Sequence, residues 1–225
     1  MKNILVILFA LFSVNAYSQI DFDNDPDSFN DTYNKHYDYE KLNKDINKEF
    51  GVTDKYDFEF RFWIEPAPMS GRSIFILSKK DDQWNTRCFT QKVKIQDQVV
   101  SVYWQEKELA QNDLVELWEK LRGNQILTLP TLDSIRDKMR IYSADTLAVQ
   151  GIYTNLSGGP YYDPYILDGV LYRIELRTQD KKRSYSYHCP KGYLKECPNV
   201  EELFRAYAIV CLVFRKIGWD PDNIC

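Results

Sequence analysis

The segment that decides the fold is Asp57–Ile64, which reads DFEFRFWI. Apolar residues occupy every second position, and most of the positions between them carry a charge. The apolar set is Phe58, Phe60, Phe62 and Ile64, and the charged set is Asp57, Glu59 and Arg61. This period of two predicts a β-strand with one face buried in the core and the other exposed to water.

Three further strands are expected soon after this one, at Ser73–Leu77, Arg87–Ile95 and Val99–Trp104. Pro66, Pro68 and Gly71 mark a turn before them. Because the links between the four segments are short, we expect an antiparallel meander.

Two helices and a second hairpin complete the pattern. Leu114, Leu117, Trp118 and Leu121 lie at helical spacing, with Asp113 placed to cap the helix and Gly123 to end it. Alternating strands follow at 170–177 and 183–188, and a final helix at 199–217. The predicted fold is therefore α+β: an antiparallel sheet from a strand meander and a later hairpin, with two main helices packed on one face.

The N-terminus predicts export. Lys2 precedes an apolar run from Ile4 to Phe12, and the small residues Ala16 and Ser18 follow, as in a cleavable signal peptide. The run of about nine residues is shorter than the roughly 20 that a membrane span needs. We assign residues 1–18 to the signal, 19–49 to an acidic tether and 50–225 to a single domain. A short helix is expected at Tyr39–Phe50, at the end of the tether. The product should be soluble, in the periplasm or outside the cell.

Charge and cysteine content bear on the partners. The whole chain carries a net charge of −4, and residues 21–49 hold nine acidic residues and four lysines. Residues 21–49 thus contribute −5 and Lys2 contributes +1, so the body from Phe50 onward is neutral overall. This argues against nucleic acid as a partner. Among five cysteines, Cys189 and Cys197 are the closest pair, and an exported protein can oxidise them to a disulfide.

One resemblance covers residues 112–217. The segments LRGNQILTLP, DGVLYRIEL and YSYHCPKGY before the last helix are similar to those of exported α+β proteins of the Bacteroidota. A mature chain starting at Gln19 also resembles exported proteins of that group. Because this group has no assigned activity, the resemblance implies export and fold but no catalytic residues.

Two segments are candidate binding sites. Alternate oxygen-bearing side chains in the tether resemble the calcium spacing of thrombospondin type 3 repeats, although the usual glycines are replaced by Pro26 and Ser28. These candidate calcium ligands are Asp23, Asp25, Asp27, Asp31 and Asn34; the alternative is a solvated acidic tether. The irregular region 143–168 places Tyr153, Tyr161, Tyr162 and Tyr165 beside Gly and Pro. Such a loop favours binding of a protein or glycan, unless the tyrosines fold back onto the body.

No catalytic motif is evident. Of the two histidines, His36 lies in the tether and His188 is next to Cys189. Because neighbours on a strand point to opposite faces, His188 and Cys189 are poorly placed to act as a catalytic pair. We therefore expect a non-catalytic module that binds a partner protein or glycan. The alternative is a periplasmic hydrolase whose carboxylates only the fold brings together.

Removal of the signal can be tested directly. Protein purified from its native host should begin at Tyr17 or Gln19, because cleavage after Ala16 or Ser18 satisfies the small-residue rule. N-terminal mass spectrometry of the exported and cytosolic fractions measures this. Intact Met1 on the cytosolic protein would contradict export.

Overall fold

Eight strands lie within the described residues of the computed structural model, which are 39–52, 55–66, 71–96, 99–142, 161–162, 166 and 169–221. They are β1 (Phe58–Pro66), β2 (Ser73–Lys80), β3 (Gln83–Gln96), β4 (Val99–Lys107), β5 (Ile141–Tyr142), β6 (Tyr161–Tyr162), β7 (Val170–Arg177) and β8 (Lys182–His188). Six of them form one antiparallel sheet in the order β4-β3-β2-β1-β7-β8, and β5 pairs with β6. The meander and the later hairpin thus join through β1 and β7.

Five α-helices accompany these strands in the described part of the chain. They are α1 (Tyr39–Phe50), α2 (Leu114–Gly123), α3 (Arg136–Met139), α4 (Pro190–Glu196) and α5 (Glu201–Ile217). None of the helices that can be described has the length and apolar character needed to cross a membrane. The predicted α+β class with an antiparallel sheet is confirmed.

The main core lies between one face of the sheet and the helices α2 and α5. The apolar residues of β1 that the alternation identified are all buried there. The Phe58 ring lies 4.5 Å from that of Trp118 on α2, and the Tyr172 ring 6.1 Å from that of Phe214 on α5. This face therefore packs as the periodicity predicted.

The opposite face is also covered, and the expectation of a solvent-exposed second face for β1 is wrong. Glu59, Arg61 and Trp63 are all buried. The helix expected at Tyr39–Phe50 is present as α1, and it packs over this face with its residues Tyr39 and Ile46 buried. Folded structure therefore begins by Tyr39, before the boundary at residue 50.

The segment between α2 and α3 is held by buried side chains of β8. Arg183 donates hydrogen bonds to the carbonyl oxygens of Leu127 and Leu129, at 2.6 and 2.7 Å. The Tyr185 hydroxyl donates to the Ile126 carbonyl at 2.6 Å. These donors satisfy backbone carbonyls that lie inside the protein, which an irregular buried segment requires.

One local expectation fails, and one helix was not predicted. Asp113 precedes α2 in a left-handed conformation, φ 58°, and its side chain makes no cap hydrogen bond, so the predicted cap is absent. The link after β8 contains the short helix α4, which begins after Cys189 and ends before Cys197. The proline at its first turn suits a helix start, because that position needs no amide donor.

Truncation of a core ring should expose the role of this packing. Phe62 is fully buried and stacks on Tyr172 with ring centroids 5.6 Å apart. Phe62→Ala should lower the free energy of unfolding by about 3–5 kcal/mol, because it removes buried apolar surface and leaves a cavity. Urea denaturation measures this. The control Val115→Ala alters a side chain that is 58% exposed and should change stability by about 0.5 kcal/mol or less.

Candidate binding surfaces

An ion-paired lattice covers the face of the sheet beneath α1. The register of β1 and β7 sets Glu59 opposite Arg177 and Arg61 opposite Glu175. Arg61 Nε lies 2.6 Å from Glu59 Oε1, and Arg173 Nε lies 3.0 Å from Glu175 Oε1. The Arg177 guanidinium also donates to Glu175. Opposite charges placed across neighbouring strands attract each other directly. We call these five residues the charged lattice.

Helix α1 closes the charged lattice with amide side chains one turn apart. Asn43 donates from Nδ2 to Glu175 Oε2 at 3.1 Å, and its Oδ1 accepts from Arg61. Asn47 Oδ1 accepts from Arg61 Nη2 at 2.9 Å. The amides thus supply hydrogen bonds to buried charges, which burial would otherwise make costly.

A second contact anchors the start of α1. The Tyr39 hydroxyl donates to Glu65, and the Arg173 guanidinium lies over the Tyr39 ring, 4.0 Å from its centroid. Arg72 Nε lies 3.2 Å from the other Glu65 oxygen. The Glu65 carboxylate is therefore held between a phenol and a guanidinium.

Two of the buried glutamates, Glu65 and Glu175, differ in acidity. Burial raises the pKa of Glu65, although the Tyr39 hydrogen bond and Arg72 partly oppose this. Burial also opposes ionisation of Glu175, but Arg177 and Arg173 outweigh it and lower the pKa of Glu175. Each of these glutamates pairs with an arginine beneath α1, so both help to hold the helix on the sheet.

A polar cleft opens at the edge of this lattice. It lies between α1 and the turn that joins β7 to β8, and it has a volume of about 410 Å³. Side chains from both elements and from the segment just before β1 line it, among them Lys44, Asn47, Tyr56, Arg177 and Thr178. A volume of this size lies within the range of small-molecule sites.

A two-stranded arm extends from the β3–β4 edge of the sheet, opposite the β7–β8 edge. Residues 83–90 of β3 pair with β2, and the Gln91 amide still donates to the Arg72 carbonyl oxygen at 2.7 Å. Beyond Gln91, the described residues of β3 pair only with β4. Gly71 lies beside the point where β3 diverges from β2. Its φ is 113°, and a Cβ there would lie 2.7 Å from the Gln91 carbonyl oxygen. We call residues 91–96 and 99–104 the β3–β4 arm.

The β3–β4 arm carries exposed apolar side chains. Val93 and Val102 are cross-strand partners and are 53% and 55% exposed, and Tyr103 is 47% exposed. Residues 99–105 of β4 read VVSVYWQ and contain no charge. Trp104 shares the face of Val102, packs against the cluster beneath α1 and lies 6.3 Å from Trp63. An apolar strip thus runs from the interior onto the arm.

The sequence-predicted binding residues fall mostly outside the described part of the chain. All five candidate calcium ligands, Asp23, Asp25, Asp27, Asp31 and Asn34, lie there, as do Tyr153 and Tyr165. The backbone of Tyr161 and Tyr162 forms β6. Among the described residues, no cluster of His, Cys, Asp or Glu could hold a metal ion.

The expected Cys189–Cys197 bridge is not formed. Cys197 is a free thiol whose Sγ lies 3.3 Å from the Met139 carbonyl oxygen, and Cys189 is disulfide-bonded elsewhere. The two cysteines flank α4, whose axial rise of 1.5 Å per residue separates them by about 12 Å. A disulfide needs Cα atoms within about 7 Å, so helix formation excludes this pairing. Burial raises the pKa of the other buried thiol, Cys88, to about 11 and keeps it protonated.

Comparison with known proteins gives no further guide to these surfaces. No protein-family model matches the chain, and no curated protein sequence matches it.

Sequence reasoning missed the charged lattice, the cleft and the exposure of the arm. A signal for the lattice existed: charged residues occupy every second position of both 57–61 and 173–177. Glu59 then Arg61 has the same order of sign as Glu175 then Arg177, so antiparallel pairing sets opposite charges across the two strands. That pattern indicates strands that could pair through their charges. The exposure of Val93 and Val102 had no such signal, because valine in a strand normally indicates burial.

The charged lattice should make stability depend on pH. The lowered pKa of Glu175 means that its contribution to stability is present above the ordinary glutamate value of about 4.3 and is lost as the pH falls through the lower folded-state value. Glu175→Gln should therefore be less stable than wild type at pH 7 and show a flatter loss of stability below pH 4.3. Urea denaturation from pH 7 to pH 2.5 measures this, with Glu108→Gln as an exposed control. An unchanged slope in Glu175→Gln would contradict the role of this carboxylate.

Proposed function

We propose that this protein is an exported, non-catalytic module that binds a partner protein through the β3–β4 arm. The observation that carries the proposal is the exposed Val93–Val102 pair beside an uncharged run of β4. Exposed apolar patches on soluble domains mark interaction sites. Export rests on the N-terminal signal and on the resemblance to exported proteins of the Bacteroidota.

The strand geometry supports a particular mode of binding. β4 is the terminal strand of the sheet among the described residues, so its outer backbone groups have no strand partner there. Proteins commonly protect such edges with charged side chains, but residues 99–105 carry none. An extended segment of the partner can add to β4 as a further strand, with apolar side chains against Val102 and Trp104.

The arm also has an energetic reason to need a partner. A two-stranded ribbon is marginally stable in water. Residues 91–96 and 99–104 form such a ribbon, which is anchored to the sheet only at its base. Addition of a third strand would supply the missing backbone pairs and cover the apolar strip.

The alternative hydrolase has less support. The fold buries three carboxylates on one face of the sheet, Glu59, Glu65 and Glu175, but they pair with arginines beneath α1. The cleft-lining acids are engaged as well, since Glu40 lies 3.6 Å from Lys182 and Asp180 accepts from Thr178 at 2.9 Å.

Two matched valines test the proposal. Val102→Asp should weaken capture of the partner about tenfold or more, because it places a charge in the apolar strip. Val115→Asp makes the same change at an equally exposed valine on α2 and should leave capture unchanged. Quantitative pull-down from the exported fraction of the native host, followed by affinity measurement with the recovered partner, gives both values.

Hydrogen exchange then tests the mode of binding. Amides of residues 99–105 should exchange more slowly in the complex if the partner adds a strand to β4. Equal capture by the two variants would remove the arm from the proposed function. If the amides of residues 99–105 already exchange slowly in the isolated protein, and light scattering gives twice the monomer mass, the result would instead indicate pairing of two copies through β4.

A further inference from the structure

The cleft between α1 and the β7–β8 turn has an excess of positive charge. Four cations and two acids line it: Lys44, Arg177, Lys181, Lys182, Glu40 and Asp180. The two acids have partners within the cleft wall, Lys182 and Thr178. Lys44 is exposed and forms no ion pair with any residue that the structure describes. The cleft therefore attracts an anionic group, and the exposed Lys44 ammonium can pair with it.

The base of the cleft is pre-organised. Arg177 is held by its ion pair with Glu175, and the register places it opposite Glu59. A guanidinium fixed in this way loses little side-chain freedom when an anion binds beside it.

The remaining lining groups suit hydroxyl-rich molecules. Asn47 and Gln179 carry amides, Thr178 carries a hydroxyl, and Tyr56 adds a half-buried aromatic ring with a polar tip. Tyrosine offers both an apolar face and a hydrogen-bonding group. This combination matches a sugar ring, which has apolar faces and a rim of hydroxyl groups.

We propose that the cleft between α1 and the β7–β8 turn binds a small sugar that carries a carboxylate, at a site separate from the β3–β4 arm. The carboxylate lies near Lys44 and Arg177, and the sugar hydroxyls contact the amides and Thr178. Because α1 forms one wall of the cleft, the charged lattice that seats α1 also sets the width of the site.

Two lysines on the same helix give a matched test. Lys44 lines the cleft, whereas Lys48, one turn later and also exposed, does not. The probes are digalacturonic acid and its uncharged counterpart, α-1,4-galactobiose, titrated into the full mature protein by calorimetry at low salt. Wild type should bind the acid about tenfold or more tightly than the neutral sugar, because only the acid forms charge-assisted hydrogen bonds.

Lys44→Glu should lose this preference, with at least a tenfold weaker affinity for the acid, while Lys48→Glu binds like wild type. Amide NMR shifts on titration should be largest at Tyr56, Lys44 and Thr178, which locates the ligand. Equal affinity of wild type for the two sugars, equal effects of the two substitutions, or no measurable binding would each overturn the proposal. None of these results bears on partner capture by the β3–β4 arm, so the two proposals fail independently.

Discussion

The burial of paired charges between β1, β7 and α1 is the constraint on which the rest of the structure depends. Taking an ion out of water costs several kcal/mol, and only close pairing with full hydrogen bonding offsets this. Glu175 meets the condition, since it accepts from Arg173, Arg177 and Asn43. The lattice adds little net stability compared with an apolar interface, but removal of any one partner would leave a buried charge. The lattice therefore determines where α1 packs on the sheet more than it increases the stability of the fold.

That position gives the domain two dissimilar layers on one sheet. One face packs through apolar and aromatic side chains against α2 and α5, and the other seats α1 through ions, amides and a small apolar cluster. Helix α1 covers only part of the second face. At one border it leaves a polar cleft, and at the other it stops short of the β3–β4 arm, where the apolar strip becomes exposed. Both proposed binding surfaces therefore lie beside α1, one at each border of the helix. They differ in chemistry because the strands beneath them differ.

The extent to which sequence predicted this arrangement varies with the range of the interaction. The alternation in Asp57–Ile64 located β1, and the helical stripe from Leu114 to Leu121 located α2, because local periodicity reports directly on burial of one face. The same reasoning failed for Glu59 and Arg61, since it treats a charge as exposed. It also failed for Cys189 and Cys197, where proximity in sequence suggested a bridge that the intervening helix α4 prevents.

By itself, the sequence determined the order and type of most elements, the α+β class and the apolar core, because these follow from residue spacing along a short stretch of chain. Only the tertiary structure decided which charges are buried, which valines are exposed and where a cleft opens. Those properties depend on which segments meet across the sheet. The register of β1 and β7 places Glu175 opposite Arg61, 114 positions earlier in the chain, and no local pattern determines which residues become neighbours over that distance.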